Sequence, residues 1–152
     1  MSANSVQTPS KVLFLCSGNY YRSRFAEHLF NHLAAQQGIG WIADSYGLVV
    51  DRPNNNVGPM SERTIDALTA RNVPIPASLR FPMQLTDAHL AASDLVIALK
   101  EEEHRPMLAE RFPVWAERTE YWHIHDLDKA SAEVALAEIE DEVRRLVARL
   151  SS

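Results

Sequence analysis

Residues 11–16 (KVLFLC) and 93–99 (SDLVIAL) are short, nearly unbroken apolar runs. A strand with one solvated face alternates apolar and polar side chains, whereas one that is apolar at successive positions must be covered on both faces. A parallel sheet with helices on each side meets that demand. The stretches between the runs agree. Beyond the turn-forming residues 17–21 (SGNYY), Phe25, Ala26, Leu29, Phe30, Leu33 and Ala34 recur at helical spacing, and Gly38 stops the pattern. Residues 41–49 (WIADSYGLV) predict a second strand, and 51–59 (DRPNNNVGP) a polar loop. Ser61 is placed to cap a helix through Ile65, Leu68 and Ala70, with Glu62 and Asp66 near its start. Residues 101–112 predict a short helix and 118–126 (RTEYWHIHD) a fourth strand. Residues 131–150 predict an amphipathic helix, apolar at Val134, Leu136, Ile139, Val143, Leu146, Val147 and Leu150. The expectation is one α/β domain over residues 11–152, a central four-stranded twisted parallel sheet with helices on both faces, behind a flexible polar leader of residues 1–10.

Composition narrows the function. A net charge of -5 leaves no basic excess for a nucleic-acid surface, so no nucleic-acid partner is expected. No apolar run approaches the length of a membrane span, and the leader lacks the apolar core of a signal peptide, so no membrane partner is expected. A single cysteine, Cys16, cannot form a disulfide within the chain, which points to a reducing, cytoplasmic setting.

Cys16 itself ends the first predicted strand. In open parallel sheets ligands bind at the carboxyl ends of strands. The backbone N–H groups of a loop leading straight into a helix converge on a point, and the helix N-terminus adds partial positive charge there. Ser17, Gly18, Asn19, Tyr20, Tyr21, Arg22 and Ser23 are therefore expected to ring a tetrahedral oxyanion. Arg22 supplies a planar fork for two phosphate oxygens. The same field favours a thiolate, the nucleophilic form of cysteine. Gly18 and Asn19 are the residues able to adopt left-handed backbone angles in such a loop. Ser23 is placed to donate a hydrogen bond to the thiolate. The plainer alternative is a small buried thiol serving as core. A cysteine and an arginine at this spacing mean little alone; the preceding buried strand, Gly18, Asn19, Ser23 and the following helix give the pair its weight.

With those residues in view, "VLFLCSGNYYRS" resembles the active-site loop of the low-molecular-weight protein tyrosine phosphatases, whose motif is Cys-x-Gly-Asn-x-Cys-Arg-Ser-Pro after an apolar strand. "DSYGL", "VGPMSERTIDALTARNVPI" and "MQLTDAHLAASDLVIAL" resemble later segments of the same family, so the likeness covers nearly the whole chain from Lys11. The resemblance implies a four-stranded parallel α/β fold and hydrolysis of phosphotyrosine through a phosphocysteine, without metal or other cofactor. It implies Cys16 as nucleophile and Arg22 as phosphate clamp. The substrate would be a phosphotyrosine-containing protein or a small aryl phosphate. Four departures stand out: Tyr21 replaces the motif's second cysteine, Arg24 replaces its proline, Arg80 falls near a histidine that helps order the loop, and the loop after the second strand, residues 49–56 (VVDRPNNN), is longer and lacks the usual aromatic. Tyr20 and Tyr21 can wall the pocket against an aromatic ring, or be packed against the helix with their hydroxyls satisfied locally.

Cleaving phosphotyrosine requires a proton for the departing phenolate. The resemblance places the acid four residues after a tryptophan, which selects Asp126 after Trp122, with Leu127 where the family has proline; Asp128 is the competitor. His123 and His125 also lie two apart in the same segment and invite a metal reading, but a zinc hydrolase of the His-x-His-x-Asp-His type needs aspartate where Leu127 stands, and no third histidine lies nearby. His28, His32, His89 and His104 are expected at the surface or its boundary. Other readings are a single-cysteine arsenate reductase, a phosphoarginine phosphatase, against which bulky Tyr20 argues, and a non-catalytic phosphate-binding module.

Overall fold

The computed structural model describes residues 8–125 and 131–151. In chain order its elements are β1 (Ser10–Cys16), α1 (Arg22–Gln37), β2 (Trp41–Gly47), α2 (Glu62–Ala70), α3 (Asp87–Ala91), β3 (Leu95–Ala98), α4 (Glu101–Arg111), α5 (Pro113–Ala116), β4 (Glu120–Tyr121) and α6 (Ala132–Leu150). The strands form one four-stranded sheet in the order β2-β1-β3-β4. Every pairing is parallel.

The unbroken apolar runs are explained by what covers them. Val12, Phe14 and Cys16 face α1 and α6, packing with Phe25, Leu29, Phe30, Ile139 and Val143. The alternate residues Leu13 and Leu15, with Val96 and Ala98, face Leu90, Leu108, Phe112 and Ala116 on the opposite side. Helices therefore cover both faces of β1, as expected for its sequence. Gly38 ends α1 in the left-handed region at φ 66. Ser61 caps α2, its hydroxyl accepting from the Arg63 N–H, and Ser131 caps α6 in the same way through Val134. Among the described residues no helix is long and apolar enough to cross a membrane.

Three expectations change. The fourth strand pairs only over Glu120–Tyr121, because β3 is itself short and turns into α4 at Glu101. The chain continues along the sheet edge through single hydrogen bonds, Trp122 N–H to Ala98 O and Ile124 N–H to Leu99 O. β2 stops at Gly47, after which Leu48 and Val49 donate their N–H groups to the carbonyls of Cys16 and Ser17. Val134, expected on the buried stripe of α6, is 49% exposed; in the first turn of the helix Ala135 and Leu136 take the core positions.

Gly47 is where β2 meets the loop after β1. It pairs with Cys16, and a Cβ there would run into Val50 and stand 2.9 Å from Ser17 O and 3.1 Å from Asn19 Cβ. Gly47→Ala should therefore cost about 1–3 kcal/mol through overpacking. Equilibrium urea unfolding checks this; an unchanged midpoint would mean that the loop has room to yield.

Candidate active site

Cys16 is the last residue of β1 and is 3% exposed. The chain after it curls back to begin α1 at Arg22. The carbonyls of Cys16 and Ser17 are taken by Leu48 and Val49. Among the described residues the backbone N–H groups of Ser17, Gly18, Asn19, Tyr20 and Tyr21 donate to no protein acceptor. Consecutive N–H groups left unpaired beside a helix N-terminus are what an oxyanion needs.

Asn19 sets the loop's turn. It is fully buried and adopts φ 52. Gly18, the other residue expected in that region, does not adopt it, since one left-handed residue suffices to reverse the chain. The Asn19 side chain is fully used. Its Oδ1 accepts from Arg80 Nη1 at 2.9 Å and from the Met83 N–H at 3.1 Å. Its Nδ2 donates to Ser23 Oγ and to Ser45 Oγ, both at 2.9 Å. Because Ser23 Oγ accepts there, its own proton is left for Cys16 Sγ, 2.9 Å away. Arg80 is held in turn by Glu27 Oε1 at 3.1 Å and Ser45 O at 2.7 Å.

The tyrosines are each tied down. The Tyr21 hydroxyl donates to Ala132 O at the start of α6, 3.1 Å, while its ring packs against the core. The Tyr20 hydroxyl donates to Val57 O, fastening the polar loop to the thiol loop. The locally satisfied arrangement thus holds for both hydroxyls.

Sequence reasoning missed a second set of groups. Arg22 Nη2 lies 3.1 Å from Glu103 Oε2. The same oxygen accepts from the Ser17 hydroxyl and stands 3.2 Å from His104 Nε2. His104, expected near the surface, is fully buried. Its Nδ1 accepts from the Lys100 N–H at 3.0 Å, which places the ring proton on Nε2, facing Glu103. That N–H first, then Arg22 and the Ser17 hydroxyl, hold the Glu103 carboxyl far below the ordinary carboxylate range against its own desolvation. The signal available was spacing: His104 and Leu108 lie four apart on α4 and share its buried face.

Asp126 and Asp128 lie outside the described residues. The segment before them is anchored: Ile124 is buried, and both the N–H and the Nδ1 of His125 reach Glu138 on α6, at 3.0 and 2.7 Å. His123 turns instead toward Glu101, at 3.8 Å. The two imidazoles thus go to different carboxylates. Among the described residues no group of three or more His, Cys, Asp or Glu side chains is placed to hold a metal.

The chain matches the family described as low molecular weight phosphotyrosine protein phosphatase over residues 11–152. It belongs to that family. Among individual relatives it is 29% identical over 101 residues to the protein-arginine-phosphatase of Bacillus subtilis (strain 168), a match covering 66% of this chain and 62% of that protein. The low molecular weight protein tyrosine phosphatase of T. tengcongensis superposes with a TM-score of 0.76 at 23% identity, over 92% of this chain and 99% of that one. An arginine phosphatase from Geobacillus stearothermophilus superposes with a TM-score of 0.68 at 25% identity, over 94% of this chain and 91% of that one. The family thus brings phosphatase chemistry, while its relatives carry names for two different phosphorylated residues.

Behind the site, on α1, His28 Nε2 is buried without a hydrogen-bond partner among the described residues. Burial first, then the charges of Arg24 and Arg80, lower its pKa from 6.5 to about 4. Between those values the unfolded chain binds a proton that the folded protein does not, so stability is full above pH 6.5 and falls as the pH drops toward 4. Urea midpoints should decline across that window in the wild type and decline less in His28→Gln. Equal slopes in the two proteins would show that other groups carry the acid sensitivity.

Proposed function

We propose that this phosphatase hydrolyses phosphotyrosine, and aryl phosphate monoesters generally, through a phosphocysteine at Cys16. The observation that carries the reading is the Cys16–Ser23 contact of 2.9 Å inside a loop whose N–H groups from Ser17 to Tyr21 are unpaired among the described residues. A phosphate dianion seated there would meet the N–H groups of Ser17, Gly18, Asn19, Tyr20 and Tyr21 and the guanidinium of Arg22, with Ser23 beneath it. The Cys16 thiolate attacks phosphorus in line, the P–O bond to the phenol breaks, and Asp126 gives its proton to the departing oxygen. Asp126, now a carboxylate, takes a proton from water as that water attacks phosphorus. The S–P bond breaks, and the thiolate leaves toward the Ser23 hydroxyl. Loop amides and Arg22 meet the charge on the phosphoryl oxygens throughout, so no step calls for a metal or cofactor. Residues 11–152 are the phosphatase domain in this reading, and a phosphorylated protein in the cytoplasm is the substrate.

A second reading, phosphoarginine as substrate, is favoured by the name of the relative at 29% identity. Tyr20 weighs against it, as a bulky side chain within the loop itself, fastened to Val57.

Two measurements test this. Phosphotyrosine and phosphoarginine peptides offered to the same preparation should be separated by at least about tenfold in kcat/KM, in favour of phosphotyrosine; the reverse order overturns the substrate assignment. A tyrosine phenol has a pKa of about 10 and leaves poorly without a proton. General acid help is worth roughly 10²–10⁴-fold. Asp126→Asn should therefore lose about that factor on phosphotyrosine and far less on an aryl phosphate whose phenol is much more acidic. Should Asp128→Asn show that leaving-group dependence instead, the acid is two residues further along.

A further inference from the structure

Arg24 stands where the family motif has proline, and it is the largest fully buried side chain among the described residues, 1% exposed. A buried guanidinium is costly unless its donors are satisfied. Here they go to backbone carbonyls rather than carboxylates. Nη1 donates to Pro59 O at 2.9 Å and, more weakly, to Asn19 O at 3.4 Å; Nη2 donates to Arg80 O at 2.8 Å. These carbonyls belong to the thiol loop, to the end of the polar loop and to the segment leading into residue 84. Among the described residues Arg24 Nε is buried without a hydrogen-bond partner. Among the described residues no carboxylate lies within ion-pair distance of it.

The charges around it are few. Arg80 lies beside it, Glu27, Cys16 and Asp44 are within electrostatic reach, and His28 follows on the same helix. Glu27 and Asp44 are themselves drawn to Arg80, at 3.1 and 3.5 Å. Burial first, then Arg80, pull the Arg24 pKa down to about 10, so the group remains a cation at neutral pH.

We infer that Arg24 is a positioning residue for the nucleophile: its buried guanidinium locks the turn at Asn19 to two neighbouring loops and, bonded to carbonyls rather than carboxylates, lends positive charge to the Cys16 thiolate. The inference rests on Cys16 being the nucleophile. It goes beyond that reading by assigning the loop a second cation, bonded to the loop's own backbone, beside the Arg22 that would serve the substrate. Proline at this position offers no donor and no charge. Lysine keeps the charge but has no planar fork with which to join Pro59 O and Arg80 O at once.

The test is the pH profile of Cys16 alkylation by iodoacetamide, with aryl phosphate turnover measured alongside, in the wild type, Arg24→Met and Arg24→Lys. Arg24→Met should alkylate about tenfold more slowly at mildly acidic pH and converge with the wild type at high pH, where every thiol is ionised, with kcat reduced in step. Arg24→Lys should keep the wild-type alkylation profile while kcat falls severalfold. A folded Arg24→Met with the wild-type profile overturns the inference. If that variant does not fold, Arg24→Lys decides, and a wild-type kcat there overturns it. Cys16→Ser is the separate control: residual turnover in that variant removes the underlying assignment of the nucleophile, whatever Arg24 does.

Discussion

The site depends on one buried amide. Asn19 holds a backbone angle that few side chains tolerate, and its own side chain supplies the reason it can. Two donors converge on its oxygen and its nitrogen serves two hydroxyls, so neither end is left unsatisfied in the interior. One of those hydroxyls is Ser23, whose remaining proton faces sulfur. Turn, hydrogen-bond direction and thiol environment are thus fixed by the same residue. Aspartate would fill the same space, but it would carry an anion beside the thiol and lose the donors to Ser23 and Ser45.

Charge is arranged differently on the two sides of this turn. On the protein side, Arg24 and Arg80 bring guanidinium groups to the carbonyl and the amide oxygen of Asn19. On the opposite side, Arg22 shares Glu103 with Ser17 and His104. The carboxylate orients Arg22 but also engages part of its positive charge. In the proposed reading, a dianion reaching Arg22 would do so while Glu103 remains close, so its charge would matter at that contact as much as its shape.

Much of this was legible in the chain. Unbroken apolarity in residues 11–16 and 93–99 implied strands covered on both faces, and the two core layers on either side of β1 are that coverage. The Cys16, Asn19, Arg22 and Ser23 cluster was readable because strand, turn formers and helix follow in immediate succession. What stayed hidden was burial of charge. His104 read as a surface or boundary residue, and nothing marked Arg24 as interior, because such side chains are rarely buried and only tertiary partners can offset their desolvation. The short α3 and α5 have too few residues to establish a period. Two departures from the family motif looked independent in sequence, arginine for proline at 24 and arginine near a histidine position at 80. In the structure they are one feature, since the side chain of Arg24 bonds the backbone of Arg80.

The reach of Arg24 also bears on how the molecule assembles. Its acceptors lie 5, 35 and 56 residues away along the chain. The nearest is the weakest contact, and the strong ones close long loops. Loop closure costs entropy before contacts return it, so a guanidinium waiting for such partners stays hydrated until the sheet has formed. Any partial opening that releases the carbonyls of Pro59 or Arg80 takes from the buried guanidinium the acceptors that offset its desolvation. Order at the site is thereby coupled to cooperative closure of the polar loop and the segment leading to residue 84, through bonds that no local stretch of sequence can make by itself.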